Sequence, residues 1–295
     1  PEDVNGDGDL SSYYTTEELA AFRLSSKSHW DVVLNLPDGE FLHVLASHPT
    51  PPVFDDGTAT EYPTDALADW NGFRNHDEIR FWWDYVNPES NSYIYDDAEF
   101  LAANGTPTSP SGGLTGCERF VIVGDQNADP LDGDATLNPA ASLLGSTLIM
   151  DEENGLKTPE SPGAVENGLT AEKTSEFGLR VDYALPSVLG FTLVDCFVFW
   201  PKSTDLEAPY ADSGMFGSDH RMVAIDVNII DLEGGACSAA TDDDDDNDGD
   251  DDDDDAGDDD DDDDDSAGRS TCCQVSFILM ATVQIVLWVG MIAPY

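Results

Sequence analysis

Six side chains in this sequence have the types and positions needed to hydrolyse a phosphate ester. They are two imidazoles, three carboxylates and one amide, each placed where a β-type run ends: His48, Asp125, Asn127, Asp182, Asp219 and His220. A hard divalent cation such as Mg²⁺ takes carboxylate and amide oxygens and offsets charge that develops on a phosphoryl group. A histidine tuned by a carboxylate can serve as an acid or a base. The sequence therefore predicts a metal-assisted hydrolytic site.

The apolar run at 120–123 is the element expected to position the first carboxylate. β-favouring residues bounded by glycine indicate a strand buried on both faces, and α/β folds place their sites just beyond such strand ends. Asp125 and Asn127 are two apart, so they point the same way in extended geometry. An ordinary Asx-turn is the alternative. Two further polar clusters, at 180–183 and 218–221, each adjoin a β-type run, and three clusters together favour a site.

His48 follows a predicted hairpin. Residues 30–36 and 41–47 are β-type runs joined by a Pro-Asp-Gly turn. The prolines that follow the second strand forbid a helix and leave His48 little freedom. A single histidine at a strand end is more often structural, so its meaning depends on the groups around it.

A helix with one buried face is predicted over residues 71–86. Its buried residues are predicted to be those that recur at helical spacing, Ile79, Trp82, Trp83 and Val86. Asn75 is the candidate N-cap, and the polar start of the helix would expose amide donors suited to an anion. Capping and solvation explain these polar residues equally well.

The other elements complete a layered α/β domain. They are strands at 179–185, 191–200 and 222–230, a helix at 139–144, a loop at 88–116 and a polar insertion or lid at 151–176.

The chain is strongly acidic, since 62 Asp and Glu against 11 Lys and Arg give a formal charge of −51. Nucleic-acid binding relies on basic side chains that neutralise phosphates, so this excess disfavours a dedicated binder of long DNA or RNA, except where salt screens the repulsion. The few bases, among them Lys27, Arg74 and Arg221, lie in or beside the motif-like stretches. Either they surround one anion site or they pair with neighbouring carboxylates.

Residues 1–19 are predicted to form an acidic N-terminal loop. Positions 3–9 open like a calcium-binding loop, but Tyr14 stands at the twelfth position, where a carboxylate belongs. A solvated loop is therefore the favoured interpretation.

The C-terminal residues differ in composition from the rest of the chain. Residues 232–271 are dominated by aspartate and are predicted to be a disordered linker. Residues 272–295 contain an apolar run that would measure about 28 Å as a helix, close to the thickness of a bilayer core. They are predicted to be a C-terminal membrane segment or a glycolipid-anchor signal, with the protein outside the cell.

Four motifs make the sequence resemble the endonuclease/exonuclease/phosphatase superfamily, which has the deoxyribonuclease-I-like fold. Residues 124–128 resemble its Gly-Asp-x-Asn-Ala motif, 180–183 its Arg-x-Asp-Tyr strand, and 218–220 its Ser-Asp-His signature. His48 after an apolar strand matches the mid-chain histidine of the family. The order and spacing of the four motifs agree, so residues 20–231 are assigned to this domain.

The resemblance implies a four-layer αββα sandwich of the α/β (α+β) class. The early asparagine and the metal-binding glutamate of the family have no counterpart upstream of residue 20, so we expect the printed sequence to lack an N-terminal part of the domain. Gln126 stands where the family usually has an aromatic residue, a change expected to alter packing. The stretches 25–31, 47–52 and 74–81 look like a bacterial, secreted branch.

The resemblance also implies roles for the acidic motifs. Asp125 and Asn127 would position the attacking water and touch the phosphate, and Asp125 and Asp219 would ligate the metal. Asp182 would orient His220, which would act as a base or as a phosphate stabiliser. The metal would be Mg²⁺, or else Mn²⁺ or Ca²⁺.

The remaining assignments concern the acid and the substrate contacts. His48 would be the acid or a second phosphate donor, and Asp31 is the candidate for orienting it. Arg74, Asn75 and His76 are the candidate substrate contacts.

Two functions follow from these observations. The first is a metal-dependent phosphoesterase, acting on diesters or monoesters and including the nucleases, anchored at the membrane and without a predicted protein partner. The alternative is a non-catalytic acidic surface protein that binds calcium or mineral, or an inactive truncated relative.

Overall fold

The computed structural model of the chain describes residues 23–37, 39–54, 69–150, 157–230, 232 and 282–285. The N-terminal loop at 1–19, with its calcium-like stretch, and the linker at 232–271, apart from residue 232, lie outside the described residues.

The described residues form two β-sheets with helices beside them, which confirms the α/β (α+β) class predicted from the sequence. The strands are β1 (His29–Asn35), β2 (Phe41–Ser47), β3 (Arg119–Asp125), β4 (Asp182–Pro186), β5 (Phe191–Phe199), β6 (Met222–Ile229) and β7 (Thr282–Ile285). The helices are α1 (Trp70–Val86), α2 (Asp97–Ala103), α3 (Pro139–Leu144), α4 (Pro162–Glu166) and α5 (Ser213–Phe216), with a 3₁₀ turn at Ala208–Ala211.

The first sheet has the strand order β1-β2-β3-β4, and the second has the order β5-β6-β7. β2 and β3 are parallel, whereas the other neighbouring pairs are antiparallel. All seven residues of β3 are buried, as its continuous apolar run predicted. Because β2 and β3 run in the same direction, the segments that follow Ser47 and Asp125 leave the sheet at the same edge.

Gly124 allows these two parallel strands to approach closely. Its φ is +131°, and a β-carbon at this position would lie 2.0 Å from the carbonyl oxygen of Ser47. A side chain would therefore push β2 away from β3. The glycine of the sequence motif is required by the backbone.

The N-cap of helix α1 lies six residues before the predicted cap. Asp69 is the N-cap and accepts a hydrogen bond of 2.9 Å from the amide of Gly72, so the prediction of Asn75 as the N-cap is wrong. Asn75 is instead a fully buried residue inside the helix. Of the predicted apolar face, Ile79, Trp82 and Val86 are buried, but Trp83 is 38% exposed, so the prediction is wrong for Trp83.

The hydrophobic core contains side chains from both sheets and from α1. Val121 and Ile122 of β3 and Ile225 and Val227 of β6 belong to it, and all four are almost fully buried. The core therefore holds β3, which ends at Asp125, and β6, which begins just after His220, in one unit.

Two predicted irregular regions contain ordered elements. The predicted loop at 88–116 includes α2, which is closed by a capping box between Asp96 and Glu99. The described part of the predicted insertion contains α4 and the buried residues Lys173 and Thr174. These residues pack against the site, so this part of the insertion does not form an exposed lid.

The predicted membrane segment is described at only four residues. Thr282–Ile285 form strand β7, which pairs with β6, so the prediction of a helix is wrong for these four; the rest of 272–295 lies outside the described residues. Among the described residues, we find no helix whose length and apolar character would let it cross a membrane.

Candidate active site

Strand β3 delivers Asp125 to the edge of the first sheet, where its side chain is 2% exposed. Its Oδ1 accepts a hydrogen bond of 2.8 Å from the amide of Asn127, whose φ of +52° closes an Asx-turn. Its Oδ2 lies 3.5 Å from Nε2 of His48 and 3.8 Å from Nε2 of His220. Two imidazoles from different parts of the chain therefore converge on one carboxylate oxygen.

Asp182 lies directly opposite Asp125 in the antiparallel pairing of β3 and β4. Its Oδ2 accepts hydrogen bonds from Oγ1 of Thr174, at 2.7 Å, and from Nδ1 of His220, at 2.9 Å. Its Oδ1 is buried and has no hydrogen-bond partner among the described residues. One oxygen thus orients the histidine, and the other is buried with no such partner.

His220 is held as a cation. Burial disfavours the charged imidazole, but the hydrogen bond to Asp182 and the charges of Asp182, Asp125 and Asp219 outweigh burial and raise the pKa of His220 to about 9. At neutral pH its Nε2 therefore carries a proton, and it lies on the side of the ring that faces Asp125.

His48, in contrast, is neutral at this pH. Burial, together with the positive charges of Lys27 and His220, lowers the pKa of His48 to about 4. Its Nε2 is buried and makes no hydrogen bond with a described residue, since Asp125 is 3.5 Å away. The site therefore pairs a neutral imidazole with a charged one.

The carboxyl group of Asp125 is a weaker acid than usual. Burial and the charge of Asp182 raise its pKa well above the ordinary range, against the opposing influence of His220, the Asn127 amide and Lys27. A carboxylate with a raised pKa accepts a proton more readily near neutral pH.

Asp125, Asp182 and His220 form a group that could hold a divalent metal ion, because one ligand atom from each lies within 4.8 Å of the others. The unpartnered Oδ1 of Asp182 fits such an ion, since a buried carboxylate oxygen without a donor is costly. Among the described residues, Asp219 is outside this group. Its carboxylate is 61% exposed and lies 3.9 Å from Nε2 of His220, at the rim of the site.

Asn127 positions the loop after His48. Its Nδ2 donates a hydrogen bond of 3.0 Å to the carbonyl of Pro49. The neighbouring Gln126 is buried, and its side-chain amide lies 3.3 Å from Oγ of Ser47. The residue that replaces the usual aromatic thus bridges the ends of β2 and β3 with a polar contact.

The three predicted substrate contacts make internal contacts. Arg74 bonds Glu78 and the carbonyl of Arg23, and Asn75 donates to the carbonyls of Thr50 and Gln126 at 2.8 and 2.9 Å. His76 contacts Asp77 and lines a cleft between α1 and α3. None of the three makes a polar contact with Asp125, Asp182 or His220 within the described residues.

Glu78 was missed by the sequence analysis and joins three segments. This fully buried carboxylate on α1 accepts hydrogen bonds from the amides of Ser26 and Thr50, both at 2.7 Å, from both hydroxyl groups, and from Nε of Arg74 at 3.0 Å. Thr50 lies two residues after His48. Glu78 therefore holds the His48 loop against the segment that precedes β1.

Asp31 does not orient His48. It pairs with Nδ1 of His43 at 2.9 Å and accepts a hydrogen bond of 2.7 Å from the hydroxyl of Tyr85. The register explains the difference, because Asp31 and His43 are diagonal neighbours on one face of the hairpin, whereas His48 follows the end of β2.

The His43 and Asp31 pair makes stability depend on pH. The hydrogen bond to Asp31 raises the pKa of His43 despite burial, with smaller contributions from the charges of Asp31 and Glu118. The His43–Asp31 pair therefore stabilises the fold fully below the pKa of His43 in the unfolded chain, about 6.5. This stabilisation is lost as the pH rises through the higher pKa of His43 in the folded protein. We expect wild type to be more stable than His43→Gln by up to about 1 kcal/mol at pH 6 and by less at pH 9, measured by urea unfolding. A difference that grows with pH would contradict this assignment.

The segment before β4 closes the site beside His220. The main chain of residue 175 bridges to His220, and the ring of Phe177, 51% exposed, meets the imidazole edge-on at 5.4 Å. The buried Lys173 fixes this segment by bonding Asp129 at 2.8 Å. Asp129 lies two residues after Asn127, so its bond to Lys173 ties the segment before β4 to the turn that follows β3.

Comparison with protein families agrees with these motifs. The family described as Endonuclease/Exonuclease/phosphatase matches residues 26–220. One similar solved structure is the crystal structure of endonuclease/exonuclease/phosphatase from Beutenbergia cavernae DSM 12333, at 17% identity and a TM-score of 0.37. The match covers 68% of this chain and 38% of that chain, so this chain spans well under half the length of that protein. No curated protein matches the sequence. By the family match over residues 26–220, the chain belongs to the Endonuclease/Exonuclease/phosphatase family.

Proposed function

We propose that this protein hydrolyses phosphate esters by attack of an activated water, with a divalent cation as its cofactor. Members of its family are generally metal-dependent phosphoesterases and nucleases. The observation that carries the proposal is the convergence of His48 and His220 on one oxygen of Asp125, at 3.5 and 3.8 Å.

Asp125 is the residue that accepts the proton of the attacking water. Its carboxylate is buried, its pKa is raised by burial and by Asp182, and its Oδ2 is not used by any hydrogen bond to a described residue. The amide of Asn127 fixes the other oxygen, so Oδ2 keeps one orientation. Such a positioned base contributes roughly 10² to 10⁴-fold to a rate.

His220 stabilises the phosphate as charge develops on it. Its Nδ1 donates to Asp182, which leaves the proton on Nε2 for a phosphoryl oxygen. The raised pKa, near 9, keeps this proton in place at neutral pH. His48 is neutral, so it binds a proton-bearing group of the substrate or of the water and adds no positive charge.

Asp125 and Asp182 would hold the cation, which prefers such carboxylate oxygens. When bound, it supplies positive charge that offsets the negative charge of the phosphoryl group in the transition state. Asp219 at the rim is placed to hold a water or a hydroxyl group near the same position.

The substrate class is a small phosphate ester or diester. The net charge of −51 repels a long polyanion, which favours a small substrate over long nucleic acid. A monoester, a diester and a short nucleotide all present the tetrahedral group that Asp125 and His220 face.

The test is turnover of bis-p-nitrophenyl phosphate and p-nitrophenyl phosphate with Mg²⁺, Mn²⁺ or Ca²⁺ in turn. We expect product release that a chelator stops and that added metal restores. Asp125→Asn is the control for contaminating hydrolases, because activity that survives in this variant does not come from this site. Absence of product with every metal and both esters would overturn the proposal.

A further inference from the structure

Phe177 is an aromatic residue held at the rim of the site. Its ring meets the imidazole of His220 edge-on, with 5.4 Å between the two ring centroids. The residue is nevertheless 51% exposed. Part of the ring therefore contacts a residue of the site, and about half of the residue's surface is open to solvent beside it.

The turn that carries Phe177 is fixed on both sides of the ring. The amide of Glu176 donates to the carbonyl of Asp219 at 2.8 Å, and its carboxylate accepts a hydrogen bond from the buried guanidinium of Arg221. The amide of Gly178 closes the turn with a backbone hydrogen bond of 3.0 Å. A ligand that packs on the ring therefore does not have to order the turn first, which lowers the entropic cost of binding.

Packing of the fold does not explain this ring. Phe177 lies outside the hydrophobic core that the described residues form. Single exposed apolar side chains are common on protein surfaces, so exposure alone assigns no role. The contact with His220 distinguishes Phe177 from them, because the same histidine bonds Asp182 at 2.9 Å and lies 3.8 Å from Asp125. The exposed ring therefore borders the position at which we place the phosphate.

The other groups around His220 act on a substrate mainly through charge. The carboxylates of Asp125, Asp182 and Asp219 lie 2.9 to 3.9 Å from its ring nitrogens, and each repels a phosphate when no cation is bound. An aromatic ring adds affinity of another kind, because it packs against a flat apolar group without relying on charge. A phosphoryl oxygen bound at His220 would bring its ester substituent toward the ring that contacts the same imidazole.

We propose that Phe177 binds an aromatic ring carried on the phosphate ester, so that the preferred substrates are nucleotides or aryl esters and not alkyl esters. This inference rests on the proposed function and narrows its substrate class. A nucleobase and a simple aryl group share the flat π-face against which such a ring packs. Binding of this kind predicts a larger effect on KM than on kcat.

The first experiment measures binding without turnover. Phenylphosphonate and methylphosphonate hold their substituent by a carbon–phosphorus bond that an esterase does not cleave, so calorimetry on the metal-supplemented protein gives both dissociation constants. We expect wild type to bind phenylphosphonate about fivefold more tightly or better, and this preference to be lost in Phe177→Ala and kept in Phe177→Tyr. No preference in wild type, or one that survives in Phe177→Ala, overturns the inference. Equal weakening of both ligands in Phe177→Ala also overturns it, because the ring would then only hold His220 in place.

Phe41→Ala is the matched control for this experiment. Phe41 is 52% exposed, nearly the same as Phe177, but it opens β2, at the end of the strand opposite Ser47. The variant therefore removes an equally exposed ring away from the site and should keep the preference of wild type. Loss of the preference in Phe41→Ala as well would overturn the assignment to Phe177.

The second experiment identifies the ring by steady-state kinetics. Bis-p-nitrophenyl phosphate and the p-nitrophenyl ester of thymidine 5′-phosphate release the same product, and we expect Phe177→Ala to raise KM about fivefold or more. A larger rise for the thymidine ester assigns the nucleobase to Phe177, and an equal rise assigns the p-nitrophenyl ring that both esters carry. An unchanged KM for both esters overturns the inference.

The inference and the proposed function fail separately. Wild type that prefers phenylphosphonate through Phe177 but turns over no ester would refute the proposed function and leave Phe177 as a binding residue. Active wild type whose Phe177→Ala variant keeps both the preference and the KM would refute this inference alone.

Discussion

His220→Ala is expected to lower kcat for a phosphate diester by about 10³-fold. The substitution removes the imidazolium whose Nε2 lies 3.8 Å from Asp125, and with it the charged donor to the phosphoryl group. KM should change less, because the interaction strengthens as charge develops on the phosphate. Steady-state kinetics at saturating metal measure both constants.

Asp182→Asn tests the charge state of His220. Wild-type activity should fall as the pH rises through about 9, because the imidazolium then loses its proton. In the variant the hydrogen bond and the charge of Asp182 are gone while the charges of Asp125 and Asp219 remain, so the falling limb should move down from about 9 toward the ordinary histidine value of about 6.5. A bound cation also lowers this pKa, and Asp182 is itself a candidate ligand, so each protein is measured at a metal concentration that saturates it.

His76→Ala is the control for removing a histidine. It lies on α1, where it contacts Asp77 and lines the cleft beside α3, so its loss should leave kcat within a factor of two or so.

Equal kcat values for His220→Ala and wild type would remove His220 from the mechanism. A falling limb that stays in place in Asp182→Asn would mean that another group sets the basic pH limit.

Glu78→Ala is expected to lower the free energy of unfolding by about 3 to 5 kcal/mol. The carboxylate is fully buried, and its removal leaves the amides of Ser26 and Thr50 without an acceptor. Because Glu78 holds Thr50, two residues after His48, its loss should also displace the His48 loop, and the folded protein should bind substrate less well. Urea unfolding gives the stability, and KM at a temperature well below the transition gives the second effect.

Arg74→Gln is the matched control for this residue. It removes one of the bonds to Glu78 from a side chain that is 36% exposed, and it leaves the donors from Ser26 and Thr50 in place. We expect a loss of no more than about 1 kcal/mol. If both variants lost the same stability, the arginine pair would matter and the joining of the two loops would not.

The strand ends were predictable because they carry strong local signals. The apolar run before Gly124 has few alternatives to a buried strand, and the structure shows β3 buried throughout. The resemblance implied that Asp182 orients His220, and the structure joins them at 2.9 Å although they are 38 residues apart. Each of the two motifs that carried this resemblance is a run of only a few consecutive residues.

The supporting residues could not be predicted because their partners are distant in sequence. Glu78 lies on a helix surface that reads as polar, and only its contacts with Ser26 and Thr50, 52 and 28 residues away, reveal that it is buried. Asn75 was predicted to be the cap because it lies in a polar cluster typical of a helix start, whereas the helix is capped six residues earlier, by Asp69. Asp31 was assigned to His48 because the strand register, which sets the face of each side chain, is not visible in the sequence.

Asp125 and Asp182 face each other directly across β3 and β4. Buried like charges that lie opposite each other destabilise a sheet, so this pair lowers the free energy of unfolding. Selection for stability alone would not retain it. A divalent cation that binds only the folded chain would offset this cost, in proportion to the logarithm of its free concentration. The metal supply of the surroundings would then govern how long the protein persists in its native state, as well as how fast it works.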